Sequence, residues 1–290
     1  MPWRAIANGT NRVEINAVTD KAAWQGQVGS TWAAQWARTD RSFTGLTDKL
    51  LGRASARRFQ RALDIGCGAG ELSLALGRGH PHAQIIGVDV SGELVATARQ
   101  RGGHLSNVSF ELDDAATWQK PDYLPELLVS RHGVMFFDDP VGAFVHLHTI
   151  AAPAASLVFS CFRSLAENSW ASETLALLPP GTNAPSDPYA PGPFAFADAT
   201  RVERILDRAG WQDIAFELVD FAFVVGSGDE PVEDAMSYFA VIGPVARGAA
   251  SLDEENKMAF RHRLRRYLEL HASGSIIALK AAAWIVTARR

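Results

Sequence analysis

The sequence predicts an α/β fold: an open, mostly parallel sheet with helices on both faces. Three observations carry this. An apolar, strand-like segment over residues 59–65 runs straight into Gly66, Gly68 and Gly70, and a helical pattern begins at Glu71. A second apolar segment, Ile85-Ile86-Gly87-Val88-Asp89-Val90, ends in a carboxylate nineteen residues after Gly70. From there strand-like and helix-like stretches alternate, as parallel strands joined by crossover helices do.

Length and composition bound the answer. At 290 residues the chain is one large α/β domain or one domain with an insertion. Hydrophobic residues make up 47% and charged residues 21%, enough apolar material for a sizeable core. The net charge of −4 gives no chain-wide basic field for nucleic acid or an anionic membrane. Residues 1–20 hold no apolar run of signal-peptide length. The apolar run over 276–286 is interrupted by Lys280 and is too short to span a bilayer. The two cysteines, Cys67 and Cys161, read as buried small hydrophobes in a reducing compartment. A soluble, cytoplasmic protein is therefore expected.

In chain order, residues 1–20 look peripheral. Trp24, Trp32 and Trp36 fall within thirteen positions, with Ser30 or Thr31 placed to cap a short helix in which Trp32 and Trp36 share a face. These rings either pack the segment onto the core or cover a ligand, and an aromatic face attracts a cation by roughly 0.5–2 kcal/mol. Residues 43–62 read as a helix with Arg53, Arg57, Arg58 and Arg61 on its solvated side. Strand 1 and the glycine loop follow, then a helix over 70–78. There the backbone turns tightly, approaches a ligand closely and presents the unpaired N–H groups of a helix start. Strand 2 spans 84–89, and an acid at its tip suits both hydroxyls of a ribose.

At these residues the chain resembles the class I S-adenosylmethionine-dependent methyltransferases. Their glycine motif is an acid, one residue, then Gly-x-Gly-x-Gly, as Asp64, Gly66, Gly68 and Gly70 stand here. The nicotinamide fingerprint Gly-x-Gly-x-x-Gly fits worse, because its third glycine falls on Glu71 or Ser73. The resemblance implies that S-adenosylmethionine lies on Asp64, Gly66, Cys67, Gly68 and Gly70, with Asp89 and Val90 at its ribose. Many relatives close the cofactor site with an N-terminal helix, which makes Trp32 a candidate cover.

Ser91 caps a helix over 92–101, and strand 3 runs over 107–112 with Val108, Phe110 and Leu112 alternating with polar residues. It ends in Asp113-Asp114-Ala115. The resemblance gives Asp114, with its neighbour Asp113 as the alternative, the adenine amino group and the Ala115 N–H a ring nitrogen. Strand 4 spans 126–132. The stretch Ser130-Arg131-His132-Gly133-Val134-Met135-Phe136-Phe137 resembles the ubiquinone-biosynthesis-like small-molecule branch, in which this strand end touches the methionine part of the cofactor, so Arg131 joins the candidates. Asp138-Asp139-Pro140 opens a helix with the face Ala143, Phe144, Leu147 and Ile150. Capping explains that acid pair without a metal. Strand 5 spans 156–162.

A Pro-rich segment, 164–197, reads as a lid, with Trp170, Leu175 and Leu178 packing inward. Asp198 or Thr200 opens a helix that Gly210 ends; Thr200 and Glu203 have capping-box spacing. Strand 6 spans 212–225. A helical insert over about 230–272 follows, with Ser251 and Glu254 spaced as a capping box, and 276–288 reads as the last strand. The whole is a Rossmann-like, seven-stranded mixed sheet, and the resemblance makes the last strand antiparallel between strands 5 and 6. The parts are an N-terminal helical cap (1–58), a cofactor-binding core (59–163), the lid (164–197) and the rest of the sheet with its insert (198–290).

The expected activity is methyl transfer from S-adenosylmethionine to a small molecule, with the acceptor site walled by the N-terminal tryptophans, the lid and the insert. His132, at the tip of strand 4, is the candidate general base for a hydroxyl acceptor. No metal is expected, and a homo-oligomer is left open. A nucleic-acid enzyme is disfavoured: an Asn/Asp-Pro-Pro-aromatic motif would follow strand 4, and here Phe136-Phe137-Asp138-Asp139-Pro140 stands. A non-catalytic cofactor-binding module is the alternative from another class.

Overall fold

The computed structural model describes residues 19–182 and 187–290. The peripheral segment before Thr19 and the Pro185 part of the expected lid lie outside them.

The strands are β1 (Arg61–Ile65), β2 (Gln84–Asp89), β3 (Val108–Leu112), β4 (Leu127–Arg131), β5 (Ser156–Phe162), β6 (Gln212–Ser227), β7 (Ala272–Ser273) and β8 (Ile276–Arg289). They form one sheet in the order β3-β2-β1-β4-β5-β8-β6, with β7 pairing β8 as a two-residue addition to the seven expected. β1 to β5 pair parallel, and β8 runs antiparallel between β5 and β6. The chain order reverses between β1 and β4. In such sheets a crevice opens there, beyond the carboxyl ends of the strands. The central strands are buried on both faces, so β1, β2 and β4 read as nearly continuous apolar runs.

The helices are α1 (Lys21–Gln25), α2 (Gln27–Ala34), α3 (Trp36–Ala54), α4 (Glu71–Gly79), α5 (Gly92–Gly102), α6 (Pro140–Ile150), α7 (Ser169–Leu175), α8 (Ala199–Arg208), α9 (Pro231–Phe239), α10 (Pro244–Ala250) and α11 (Glu254–Leu270). Side-chain caps behave as anticipated at α5, where Ser91 accepts from Leu94 N, and at α6, where Asp139 accepts from Gly142 N.

Several element boundaries differ from the sequence reading. The helix expected over 43–62 is α3, which begins at Trp36 and ends at Ala54. Its buried face, Phe43, Leu46, Leu50 and Ala54, recurs at helical spacing and then runs out, so Arg57 and Arg58 lie in a turn and Arg61 opens β1. Trp32 and Trp36 belong to different helices, because the chain breaks at Gln35. Of the two caps the sequence left open for α8, the structure uses Asp198, which accepts from Thr200 N and Arg201 N. Asp253, not Ser251, caps α11, accepting from Asn256 N at 2.8 Å. Ser251 instead ends α10, a helix the sequence reading missed, and its hydroxyl donates to Gly248 O.

The expected lid is largely anchored. Asn168 is fully buried and bonds both ways with β8: its Nδ2 donates to Ala282 O, and its Oδ1 accepts from Ala282 N at 2.8 Å. Trp170 is also buried, stacked on Phe223 with ring centroids 4.8 Å apart. These contacts hold α7 on the sheet. Late in segment 164–197, Pro191 O accepts from Thr19 N, just before α1.

Candidate functional site

A cleft of about 380 Å³ opens at the carboxyl ends of β1, β2 and β4. That lies within the range of about 300–1,000 Å³ typical of small-molecule sites. Its floor is the glycine loop, and Trp24 and Trp32 of α1 and α2 form part of its cover. Trp24 meets Trp32 and Phe136 edge-on, with centroids 5.5 and 5.0 Å apart. Among the described residues, none of 164–197 and none of the insert lines the cleft; its walls come from the N-terminal helices, the loops after β3 and β4 and the start of α6.

Two glycines of the loop have separate duties. Gly68 has φ +54°, and a Cβ there would meet no protein atom within 4 Å, so the loop leaves open space on the cleft side. Gly70 does not line the cleft. It caps α4 at φ +87°, and a Cβ there would lie 2.8 Å from the Phe110 ring. Its assignment to the ligand side is corrected accordingly: the position is glycine so that α4 can pack on Phe110 and α5.

Asp89 is buried, accepting from Gly68 N at 2.8 Å and from Ser91 N at 2.9 Å. Burial raises its pKa, and the backbone N–H bonds oppose that rise. Each oxygen has one backbone partner and keeps a second lone pair. Asp64 is buried beneath the loop, takes the Ser73 hydroxyl at 2.6 Å and so ties β1 to α4. Cys67, also buried, has its thiol pushed well up by burial, which leaves it inert as a nucleophile. Val90 lines the cleft beside Asp89.

At the tip of β3, Asp114 accepts from Ala116 N at 2.9 Å and pairs with Lys21 Nζ at 2.8 Å. The Ala115 N–H has no protein partner among the described residues. Lys21 carried no signal in the sequence; the fold brings α1 across to strand β3.

Arg131 lines the cleft, yet its guanidinium is already occupied. It contacts Glu71, donates to Thr47 Oγ1 at 2.9 Å and pairs with Asp40 at 3.2 Å. Asp40 also pairs with Arg101 at 2.7 Å. Arg101 in turn donates to Ala69 O of the glycine loop and lies over the Trp36 ring. One carboxylate on α3 thus joins the N-terminal helices to the glycine loop and to the β4 tip. Asp40, Thr47, Glu71 and Arg101 were all missed, since residues this far apart in sequence carry no shared pattern.

His132 sits at φ +66°, uncommon for a residue with a side chain. It is 7% exposed, its Nδ1 lies 2.7 Å from Ser160 Oγ, and its ring meets Phe162 edge-on at 4.2 Å. Burial and then the Arg131 charge push its pKa well below the ordinary imidazole range.

A family model described as a methyltransferase domain matches residues 36–215, more than half of the chain. The chain belongs to this methyltransferase domain family.

Among sequence relatives, trans-aconitate 2-methyltransferase of Variovorax paradoxus is 31% identical over 124 residues, 43% of this chain and 47% of its own length. The enzyme of that name from Methylobacterium radiotolerans is 30% identical over 166 residues, 57% of this chain and 60% of its own length. The chain spans about half the length of the curated relatives it matches. Among solved structures, Haemonchus contortus phosphoethanolamine N-methyltransferase 2 superposes with a TM-score of 0.54 at 16% identity, covering 92% of this chain and 58% of that one. At that identity it shows a shared fold.

Within this methyltransferase domain the charge cluster is testable. Asp40, Arg101 and Arg131 side chains are 14%, 18% and 16% exposed. Removing one member of a largely buried ion pair leaves the others uncompensated, at about 3 kcal/mol or more. Asp40→Asn is expected to lower stability by about that amount in urea denaturation. Its α3 segment should also become protease-sensitive. An unchanged midpoint would show that the cluster contributes nothing.

Asp64 gives a pH test. Burial raises its pKa to about 6, against the lowering effects of the Ser73 bond and the Arg131 charge. Folding therefore favours its protonated form. That contribution is complete below the ordinary carboxylate pKa and is lost as pH rises through about 6. Asp64→Asn removes it, so the stability gap between variant and wild type should shift in the variant's favour from about pH 4 to 6 and be flat above. Thermal melts across that range measure it; parallel curves would refute the titration.

Proposed function

We propose that this chain is an S-adenosylmethionine-dependent methyltransferase acting on a small molecule. The observation that carries the reading is the cradle at Gly68 and Asp89. The loop leaves open space where a Cβ would stand, and a buried carboxylate beside it has lone pairs to spare. The cofactor fits the residues present. Asp89 and Val90 would hold the ribose, and the unpaired Ala115 N–H with Asp114 would meet the adenine edge. Asp64, Gly66 and Cys67 would shape the loop beneath it, and Trp32 and Trp24 would cover it. When bound, S-adenosylmethionine supplies a methyl group on a cationic sulfur, already electrophilic without a metal.

The protein's own contribution is then positional. The Asp40 cluster holds the cover on the loop, the aromatic wall excludes water, and a closed, dry site sets the reacting partners at attack distance. Arg131, paired with two carboxylates, would act through that cluster rather than on the cofactor itself. The two free, buried thiols fit a reducing, cytoplasmic setting. No helix among the described residues is long and apolar enough to cross a membrane.

The test pairs calorimetry with S-adenosylhomocysteine and a transfer assay using methyl-labelled S-adenosylmethionine. Trans-aconitate heads the acceptor panel because relatives bear its name. Binding with turnover on a panel member is the expected result. Binding with no transfer to any acceptor would favour a binding module, and no binding would end the proposal.

A further inference from the structure

Two buried side-chain nitrogens among the cleft-lining residues, Trp24 Nε1 and His132 Nε2, have no protein partner among the described residues. A buried donor left unpaired costs about 1–3 kcal/mol, so such a group on a binding surface marks where a ligand atom belongs. The indole nitrogen is only ever a donor. The state of His132 follows from its neighbour. Ser160 is fully buried, and its hydroxyl has a single side-chain partner, His132 Nδ1. If Nδ1 carried the proton, the Ser160 hydroxyl hydrogen would have no acceptor. If Ser160 donates to Nδ1, both ends of that bond are satisfied, and the one proton of a neutral imidazole sits on Nε2.

We propose that His132 is a neutral Nε2–H donor, locked by Ser160, that binds a carboxylate oxygen of a ligand in this cleft. In that tautomer Nε2 has no lone pair to offer and Nδ1 is held by Ser160, so His132 takes no proton from an acceptor, and the base role expected from sequence gives way to recognition. A carboxylate only accepts hydrogen bonds and offers about four lone-pair sites, which suits the unpaired Nε2–H and Trp24 Nε1–H donors. Arg131, the charge that acts on His132, is paired with Asp40 and Glu71; of the other charges lining the cleft, Lys21 pairs with Asp114, and Asp64, Asp89, Asp113, Asp138 and Asp139 are carboxylates. Two carboxylates are available under the proposed function, on which this inference rests: the amino-acid end of the cofactor, or a group on the methyl acceptor.

The experiment is ¹⁵N NMR of the full chain labelled at histidine, with His132 assigned from the His132→Asn spectrum. A single proton on Nε2, with no titration between about pH 5 and 8, is expected. Ser160→Ala should release the tautomer and bring a population protonated on Nδ1. A proton on Nδ1 in the wild type, or titration in that window, overturns the proposal.

Ligands then locate the carboxylate. A shift of the Nε2–H signal with S-adenosylhomocysteine, absent with 5′-methylthioadenosine, which lacks the amino-acid group, places it on the cofactor. A shift only when citrate or succinate is added to the S-adenosylhomocysteine complex places it on the acceptor. No shift with any of them, while calorimetry shows S-adenosylhomocysteine bound, overturns the binding role. If S-adenosylhomocysteine does not bind at all, the proposed function fails, and the tautomer and the response to citrate alone still decide the role of His132.

Discussion

Asp89→Ala is expected to weaken S-adenosylhomocysteine binding at least tenfold while the fold survives. The carboxylate sits at the end of β2, buried and held by the N–H groups of Gly68 and Ser91. Hydrogen bonds to a charged group contribute about 1.5–3 kcal/mol each, and tenfold in affinity is about 1.4 kcal/mol, so losing one ribose contact already reaches the expected effect. Losing the bond to Gly68 adds to it by slackening the loop. The fold persists because β2 is held by Ile85, Ile86 and Val88 in the core. Asp89→Asn, which keeps acceptor capacity without the charge, should fall between the two. Calorimetry measures affinity and thermal melting monitors the fold. Unchanged affinity in Asp89→Ala would remove this residue from the site.

Gly68→Val is expected to abolish cofactor binding with a modest loss of stability. The position has φ +54°, so a side chain there costs about 1–2 kcal/mol. No protein atom stands within 4 Å of the added Cβ, so the valine meets only the cleft. Gly70→Ala supplies the contrast. Its Cβ would press on the Phe110 ring at 2.8 Å and on Ala98 at 3.1 Å, so that variant should lose melting temperature first and affinity second. If Gly68→Val binds normally, or if the two variants behave alike, the division of labour within the loop is wrong.

The same contrast explains what was legible. Gly66, Gly68, Asp89, Asp114 and Ala115 announce themselves because each stands at a strand tip or turn whose backbone task admits few residue types. All five line the cleft. Gly70 carries the same letter for another reason, and spacing does not separate a glycine that faces a ligand from one that faces a phenylalanine. The lid reading took proline content as a sign of a cover over the cleft. The segment's first part packs inward, as Trp170 suggested: a buried amide bonded both ways to Ala282 and a ring stacked on Phe223 hold α7 on the sheet. The cap of α11 was missed, and that of α8 left between Asp198 and Thr200, because several acids and hydroxyls lie within a few residues, and only the turn geometry selects one.

By itself the sequence determined the order of the seven main strands and the helices between β1 and β6, the parallel core with its glycine loop, and the acid at the tip of β2. These rest on short-range chemistry: apolar periodicity, turn residues and helix caps act between neighbours and leave a local record. Tertiary structure alone decided that Asp40 of α3 joins Arg101 and Arg131, that Lys21 reaches Asp114, and that Ser160 orients His132. Those pairs lie between 28 and 93 residues apart. Their energy comes from charges and hydrogen bonds brought together in a partly dry interior, where the effective dielectric is low. Such an interior exists only once the sheet has closed and the N-terminal helices have packed across its carboxyl edge.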